Sequence, residues 1–338
     1  MDADLPADLR GGLEQLTQGR SHGALAQRAA ALSQRYRAGG RSADAIRDHD
    51  DALAYALTRL PATYAAAAAA LSAVAQARPA FAPRTLLDVG AGPGTAAWAA
   101  AKGFPTIADV RLVDDNPALR ALARALLAAS DHAALRHAAY AAGALAELGG
   151  APADLVVASY LIGELAPAAL ARAAEVLWSL AGAMLVVVEP GTPAGFARIR
   201  DLRAQLIARG ARVAAPCPHD AACPIVAPDW CHFARRLARS RSHQRAKGAA
   251  LAYEDEKFAY VALAREPLAR EPLAREPGAR FDARVLAHPR VTKAGIAAKL
   301  CTAEGIITEV TPRRDRARYK PRIRWRWGDA VDRTAEGT

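Results

Sequence analysis

The sequence predicts an α/β protein: a parallel sheet covered by helices on both faces, with a helical leader before it and a cysteine-bearing extension after it. Three observations carry this expectation. From residue 84 onward, β-rich runs alternate with alanine-rich helical segments, the pattern of parallel strands joined by crossover helices. The first run, TLLDVG, opens directly into a glycine-rich turn. Three of the four cysteines, Cys217, Cys223 and Cys231, crowd into one proline-rich stretch.

Residues 1–80 read as helical. LRGGLEQL, GALAQRAAALSQRY and DALAYALTRLPATYAAAAAALSAVAQA place apolar residues at three- and four-residue spacing. Pro61 is expected to break or kink the last of them. Nothing in this leader suggests chemistry. Strands are then predicted at TLLDVG, RLVDD (111–115), DLVVASYL (154–161) and AMLVVVEPG (183–191). Helices should follow the glycine turn and cover 117–129, 167–180 and 196–209. Past the cysteine stretch, FARRLARSRSHQRAKGAAL reads as a basic helix and KFAYVALA (257–264) as a strand. LAREP then repeats three times, at 263–267, 268–272 and 273–277, and reads as a loop expansion. The tail run YKPRIRWRWGD (319–329) looks strand-like.

Charge is unevenly placed. The net charge is +11, yet residues 1–200 hold 18 basic and 18 acidic residues, so the excess lies wholly in 201–338, with 27 against 16. Charge confined to one segment fits a polyanionic partner such as RNA. No uninterrupted apolar run reaches 18 residues, so no membrane span is expected. The acidic N-terminus MDADLPADLR does not read as a secretory signal. A cytoplasmic location, with reduced thiols, is the expectation.

In LDVGAGPGTAAW, Gly90, Gly92 and Gly94 follow the first strand and precede a helix. Glycines let the backbone turn tightly and approach a ligand, and the helix offers free N–H groups there. G-x-G-x-G after L-D-V resembles the first motif of class I S-adenosylmethionine-dependent methyltransferases, which have a Rossmann-like sheet. That resemblance gives Asp114, at the end of the second strand, the ribose hydroxyls to bind. It gives Asp88 the ordering of the loop and the methionine moiety. Ser159, Tyr160 and Glu164 in ASYLIGEL are polar candidates beside the methyl donor, with Ser159 assigned to the cofactor. No catalytic base is identified.

The cysteines are spaced C-x5-C-x7-C, and 69 residues intervene between Cys231 and Cys301. Four thiolates suit zinc or an iron–sulfur cluster. The spacing is loose for a zinc knuckle and slightly favours the cluster. His219 and His232 are substitute ligands.

Several stretches together, LLDVGAGPGTAAWAA, SYLIGEL, VVVEPGTPAGF, APCPHDAACP, DWCHFARR, YEDEKFAYVAL, LCTAEG and WGD, make the chain similar to the methyltransferase-like family associated with the small ribosomal subunit. The resemblance runs from about residue 50 to 330. It implies a 4Fe-4S cluster on Cys217, Cys223, Cys231 and Cys301, S-adenosylmethionine binding, and a place on small-subunit RNA or its assembly intermediate. It leaves two functions open: rRNA methylation, or non-catalytic assembly by a factor that retains the fold. RNA contact is expected from Arg235, Arg236 and Arg239 around one helix face, and from Arg322, Arg324 and Arg326 on one strand face. The chain is thereby divided into a helical region (1–80), an S-adenosylmethionine-binding core (81–212), and a cluster-binding basic region (213–338) that includes the last strands of the sheet. It is expected to act as a monomer, away from membranes.

Overall fold

The computed structural model describes residues 4–37, 42–265 and 281–333. All but the first three residues of the LAREP repeats lie outside them. The leader forms α1 (Ala7–Thr17), α2 (His22–Arg37), α3 (Ser42–Ala45) and α4 (His49–Ala77). Asp48 caps α4 by accepting from Asp51 N at 2.8 Å, and two more acids in the first turn favour the helix dipole. Pro61 does not break α4, which runs through it. The lost hydrogen bond is outweighed because the helix is buried on most sides, from Ala52 to Val74. By length and hydropathy α4 could cross a membrane, but most of it lies buried inside the fold.

The body continues with β1 (Thr85–Val89), α5 (Thr95–Gly103), β2 (Asp109–Asp114), α6 (Pro117–Ala128), α7 (Ala133–Arg136), β3 (Ala139–Ala142), β4 (Ala153–Ser159) and α8 (Leu170–Leu180). Next come β5 (Ala181–Pro190), α9 (Pro193–Ile207), β6 (Arg212–Ala215), β7 (Phe233–Ala238), α10 (Arg241–Lys247) and β8 (Tyr253–Ala264). The sheet order is β3-β2-β1-β4-β5-β8-β6, with β7 paired to the first half of β8. β1 to β5 are mutually parallel, and β8 runs antiparallel between β5 and β6. This is the class I methyltransferase fold that the glycine motif implied.

Strand alternation splits the core. Leu86, Leu112, Leu155 and Val186 face the layer of α4, α5 and α6. Leu87, Val89, Val156 and Val187 face α8 and α9. Both faces are sealed, so the strands read as continuous apolar runs.

A second, antiparallel sheet follows: β9 (Ala283–Val285), β10 (Arg290–Val291), β11 (Gly295–Thr302), β12 (Gly305–Pro312) and, after α11 (Arg316–Arg322), β13 (Ala330–Val331). β11 and β12 form a hairpin in register from Gly295↔Pro312 to Thr302↔Gly305.

Two expectations are corrected. FARRLA is strand β7 and only Arg241–Lys247 is helical, because β8 offers Phe233–Ala238 a full antiparallel partner. Arg235, Arg236 and Arg239 therefore share no helix face. The tail is not a strand: Arg316–Arg322 is helix α11, followed by turns. Arg322 is buried, pairing with Glu309 and donating to Thr311 Oγ1 at 2.6 Å, so it does not share an exposed face with Arg324 and Arg326.

α10 packs on α2 and α4 of the leader, and a half-buried charged cluster ties it to β8. Glu254 accepts from Lys247 at 2.6 Å and from Arg239 at 2.7 Å. His243 is 2% exposed, with Nε2 3.6 Å from Glu254 Oε1. Burial pulls His243 down to about 4, against the nearby Glu254 charge and with Lys247 and Arg239. Between about pH 4 and 6.5 the unfolded chain then binds more protons, so stability falls as pH falls through that window. The depressed Glu254 carboxyl acts in the same sense. The urea midpoint of the parent, measured against that of His243→Gln, should be lower at pH 5 than at pH 7.5, since the opposite contribution of the buried Asp88 carboxyl is common to both proteins. An unchanged pH dependence in the variant would count against His243 as its source.

Candidate cofactor site and cysteine cavity

The glycine turn sits at the carboxyl end of β1. Gly90, Gly92 and Gly94 have φ of 66°, 54° and 80°, a region costly for other residues. The turn is tied to β2: Gly90 N and Ala91 N donate to Val113 O at 2.9 and 3.1 Å. Asp114 accepts from Gly92 N and Asn116 N, both at 2.8 Å. Each carboxylate oxygen keeps lone-pair capacity for a further donor. Tyr140 Oη donates to Gly92 O at 2.5 Å. Ser159, half-buried, ends β4 near the turn.

Asp88 lies beneath the turn and is 1% exposed. Its Oδ2 accepts from Ala97 N at 2.9 Å, while its Oδ1 is buried with no hydrogen-bond partner. Burial pushes its carboxyl up to about 7, with the Asp114 charge adding to the rise. A buried acceptor left without a donor is costly. A bound ammonium would satisfy Oδ1.

Around the ends of β4 and β8 the structure joins Tyr160, a candidate already read from ASYLIGEL, to Arg59 and Glu256, which the sequence did not single out. Tyr160 takes φ of 58°, unusual for a bulky residue. Its hydroxyl donates to Glu256 Oε1 at 2.8 Å. Arg59 of α4 pairs with the same Glu256 at 3.2 Å and lies over the Tyr160 ring at 5.8 Å. Burial and the Glu256 charge raise the Tyr160 phenol well above its ordinary value, so it stays protonated. Tyr55, one turn before Arg59, is raised to about 12 by burial, with Glu164, Asp114 and Glu256 adding to the rise. The sequence signal was the polar i, i+4 pair Tyr55/Arg59 in an alanine-rich helix.

The four cysteines line one cavity of about 40 Å³. Cys217, Cys223 and Cys231 come from the loop between β6 and β7, and Cys301 from β11. The remaining wall is mainly apolar, with Ile225, Phe233 and Leu286, except for the guanidinium groups of Arg203 and Arg284. Arg203 donates to His219 O at 2.7 Å and Arg284 to Pro216 O at 2.7 Å. Burial raises the Cys217 and Cys301 thiols, Cys301 to about 12. Burial and the neighbouring thiols raise Cys231 further. Among the described residues, no three His, Cys, Asp or Glu side chains are set to hold a metal ion. His219 Nε2 lies 3.9 Å from Cys301 Sγ. His232 stacks on Trp230 at 5.1 Å.

Of the arginines expected to meet RNA, Arg236 is held by Asp255 through two bonds of 2.8 Å. Arg239 is held by Glu254, and Arg322 by Glu309. Arg235, Arg324 and Arg326 are exposed and line a second, larger cavity.

A family model described as mitochondrial small ribosomal subunit Rsm22 matches residues 49–332. The human protein "Ribosome assembly protein METTL17, mitochondrial" is 30% identical over 230 residues, 63% of this chain and 48% of that protein. The fission-yeast (Schizosaccharomyces pombe) "Rsm22-cox11 tandem protein 2, mitochondrial" is 31% identical over 197 residues, 47% of this chain and 25% of that protein. The matches thus take in about half of the human relative and a quarter of the yeast one. Among solved structures, a putative RNA methyltransferase from Pyrococcus horikoshii aligns with TM-score 0.41 and 13% identity, covering 63% of this chain and 87% of that one. Magnesium protoporphyrin IX methyltransferase from Synechocystis with bound SAM aligns with TM-score 0.39 and 13% identity, covering 79% and 100%. The cytoplasmic location expected from the N-terminus is overturned: the matched family and these relatives are described as mitochondrial.

Proposed function

The chain belongs to the mitochondrial small ribosomal subunit Rsm22 family, and from that premise we propose that it is an S-adenosylmethionine-binding assembly factor for the small ribosomal subunit. The observation that carries this reading is the extent of the family match. Residues 49–332 include the glycine turn, the cysteine cavity and most of the basic C-terminal region.

The residues fit the methyl donor. Asp88 Oδ1 lacks a donor that the methionine ammonium would supply. Asp114, facing the turn from β2, can accept from ribose hydroxyls, and the left-handed glycines let the backbone close on the ligand. Ser159 borders the same end of the sheet.

The cysteine cavity fits a 4Fe-4S cluster by its donor set and by charge. Four thiolates around such a cluster leave a net negative centre, and Arg203 and Arg284 are two cations set into an otherwise apolar wall. Cys217, Cys223, Cys231 and Cys301 would hold it, supplying a cross-link between the main sheet and the second sheet. Metal binding would then be coupled to local folding.

A second reading, methyl transfer to ribosomal RNA, is favoured by Tyr160. A bulky residue held at positive φ is the kind of strain that accumulates at functional sites. One set of measurements tests both readings. Anaerobically purified protein should be brown and carry iron and sulfide near four per chain, and Cys217→Ser should lower both. It should co-sediment with small subunits. Labelled methyl transfer to small-subunit RNA, lost in Asp88→Ala, would establish the second reading. Binding without transfer would leave the first. Colourless zinc protein would overturn the cluster, and failure to bind small subunits would overturn the assembly role.

A further inference from the structure

We propose that the groove between α4, β7 and the segment following α11 binds single-stranded RNA, with one nucleobase resting on its aromatic floor. The inference rests on the ribosomal reading above and gives it a site. The groove has a volume of about 570 Å³, within the range of small-molecule sites. It is separate from the glycine turn. It shares a wall with the cysteine cavity through Phe233, Tyr260 and Arg284.

Its floor is aromatic. Phe233, Phe258 and Tyr260 pack with ring centroids 5.2 to 6.0 Å apart and are themselves mostly buried, so the ring surface open to a base comes chiefly from the half-buried indoles of Trp325 and Trp327 that line the groove with them. With Asp329 and Asp332 also lining the groove, its rim is cationic on balance: Arg235 from β7, and Arg324 and Arg326 from beyond α11. All three are exposed. Among the described residues, none of their side chains forms an ion pair, although Arg236, Arg239 and Arg322 nearby are each held by a carboxylate. Three guanidinium groups outside any ion pair outnumber the two carboxylates of the groove and repel each other, and a polyanion relieves that repulsion. Gln76, exposed on α4, adds an uncharged amide at the edge.

The combination selects the partner. An acidic peptide would need the cations alone. Phosphates on the rim, a flat ring on the floor and an amide for a base edge match a nucleotide. The strand must be single, because bases stacked in a duplex cannot reach the floor. Arg284 fixes the wall from behind, donating to Pro216 O at 2.7 Å and to Gly328 O at 2.8 Å. It positions the groove and is not itself a rim contact.

The test is fluorescence anisotropy with a labelled ten-nucleotide RNA and the intact holoprotein. The triple variant Arg235→Ala/Arg324→Ala/Arg326→Ala should bind about 30-fold more weakly. Its log–log salt slope should be shallower by about 2, three contacts at roughly 0.7 each. The control triple Arg172→Ala/Arg200→Ala/Arg209→Ala, on α8, α9 and the turn after α9, removes the same charge and should bind within twofold of the parent. An oligomer with abasic positions should bind about tenfold more weakly than the full strand, and a duplex more weakly still. Equal loss in both triples, equal binding of duplex, or displacement of RNA by polyglutamate at matched charge would overturn the groove assignment. Small-subunit binding kept intact in the rim triple would sink the groove alone. Loss of subunit binding in the parent protein would instead sink the wider reading.

Discussion

Asp88→Asn is expected to weaken S-adenosylmethionine binding by about 100-fold while making the empty protein more stable at pH 8. Both effects come from one buried oxygen. Asp88 is 1% exposed, and its Oδ1 has no partner. Its folded pKa of about 7 lies above the ordinary 3.8, so between those values the folded chain binds more protons than the unfolded one. Stability therefore declines as pH rises from about 4 to 7, and the cost is fully present above 7. Asparagine keeps the shape and removes that cost. It also removes the negative charge that would meet the methionine ammonium, and losing one side of a buried charged contact typically costs about 2–5 kcal/mol. Calorimetric titration and melting curves at pH 5 and pH 8 check the two halves. A variant that binds as tightly as the parent, or that melts lower at pH 8, would contradict the account.

Glu189→Ala is expected to destabilise the fold by about 3–5 kcal/mol, the usual cost of stranding one partner of a buried pair. Glu189 ends β5 and is fully buried. It accepts from Arg198 Nε at 2.9 Å and from Gly163 N at 3.2 Å, joining the β5 end, the β4–α8 connection and α9. Alanine leaves the guanidinium and the amide without an acceptor. Replacing both partners by leucine and methionine should recover much of the loss, since no charge then remains buried alone. Urea unfolding measures both. A loss below about 1 kcal/mol in Glu189→Ala would mean that water or another group takes over.

The glycine turn and the strands around it were legible because local chemistry specifies them. Gly90, Gly92 and Gly94 mark left-handed backbone, and LVV and VVV runs mark strands covered on both faces. Asp114 was legible for the same reason, as an acid closing a strand. FARRLA misled because Ala, Arg and Leu are strong helix formers, and its strand pairing is supplied by β8, fifteen or more residues later. YKPRIRWRW misled in the opposite direction. Its period-2 alternation suggested a strand, but the fold gives it no partner and instead draws Arg322 inward to Glu309. The contacts among Arg59, Tyr160 and Glu256 join residues far apart in the chain, and no local pattern encodes them. That Cys301 would share a wall with the other three thiols came from the family resemblance, because 69 intervening residues fix no distance.

The insertion of β8 between β5 and β6 has a consequence for how the chain is made. When a nascent chain has emerged only as far as residue 250, β5 has a bare edge and β6 has nothing to pair with, because the strand that joins them is not yet available. The three clustered thiols would already be exposed by then, ahead of both the sheet's completion and the fourth thiol. Closure of the main sheet is thus tied to late synthesis, a non-local step of the kind that slows folding, and any helper that shields those thiols must act before residue 264 is out.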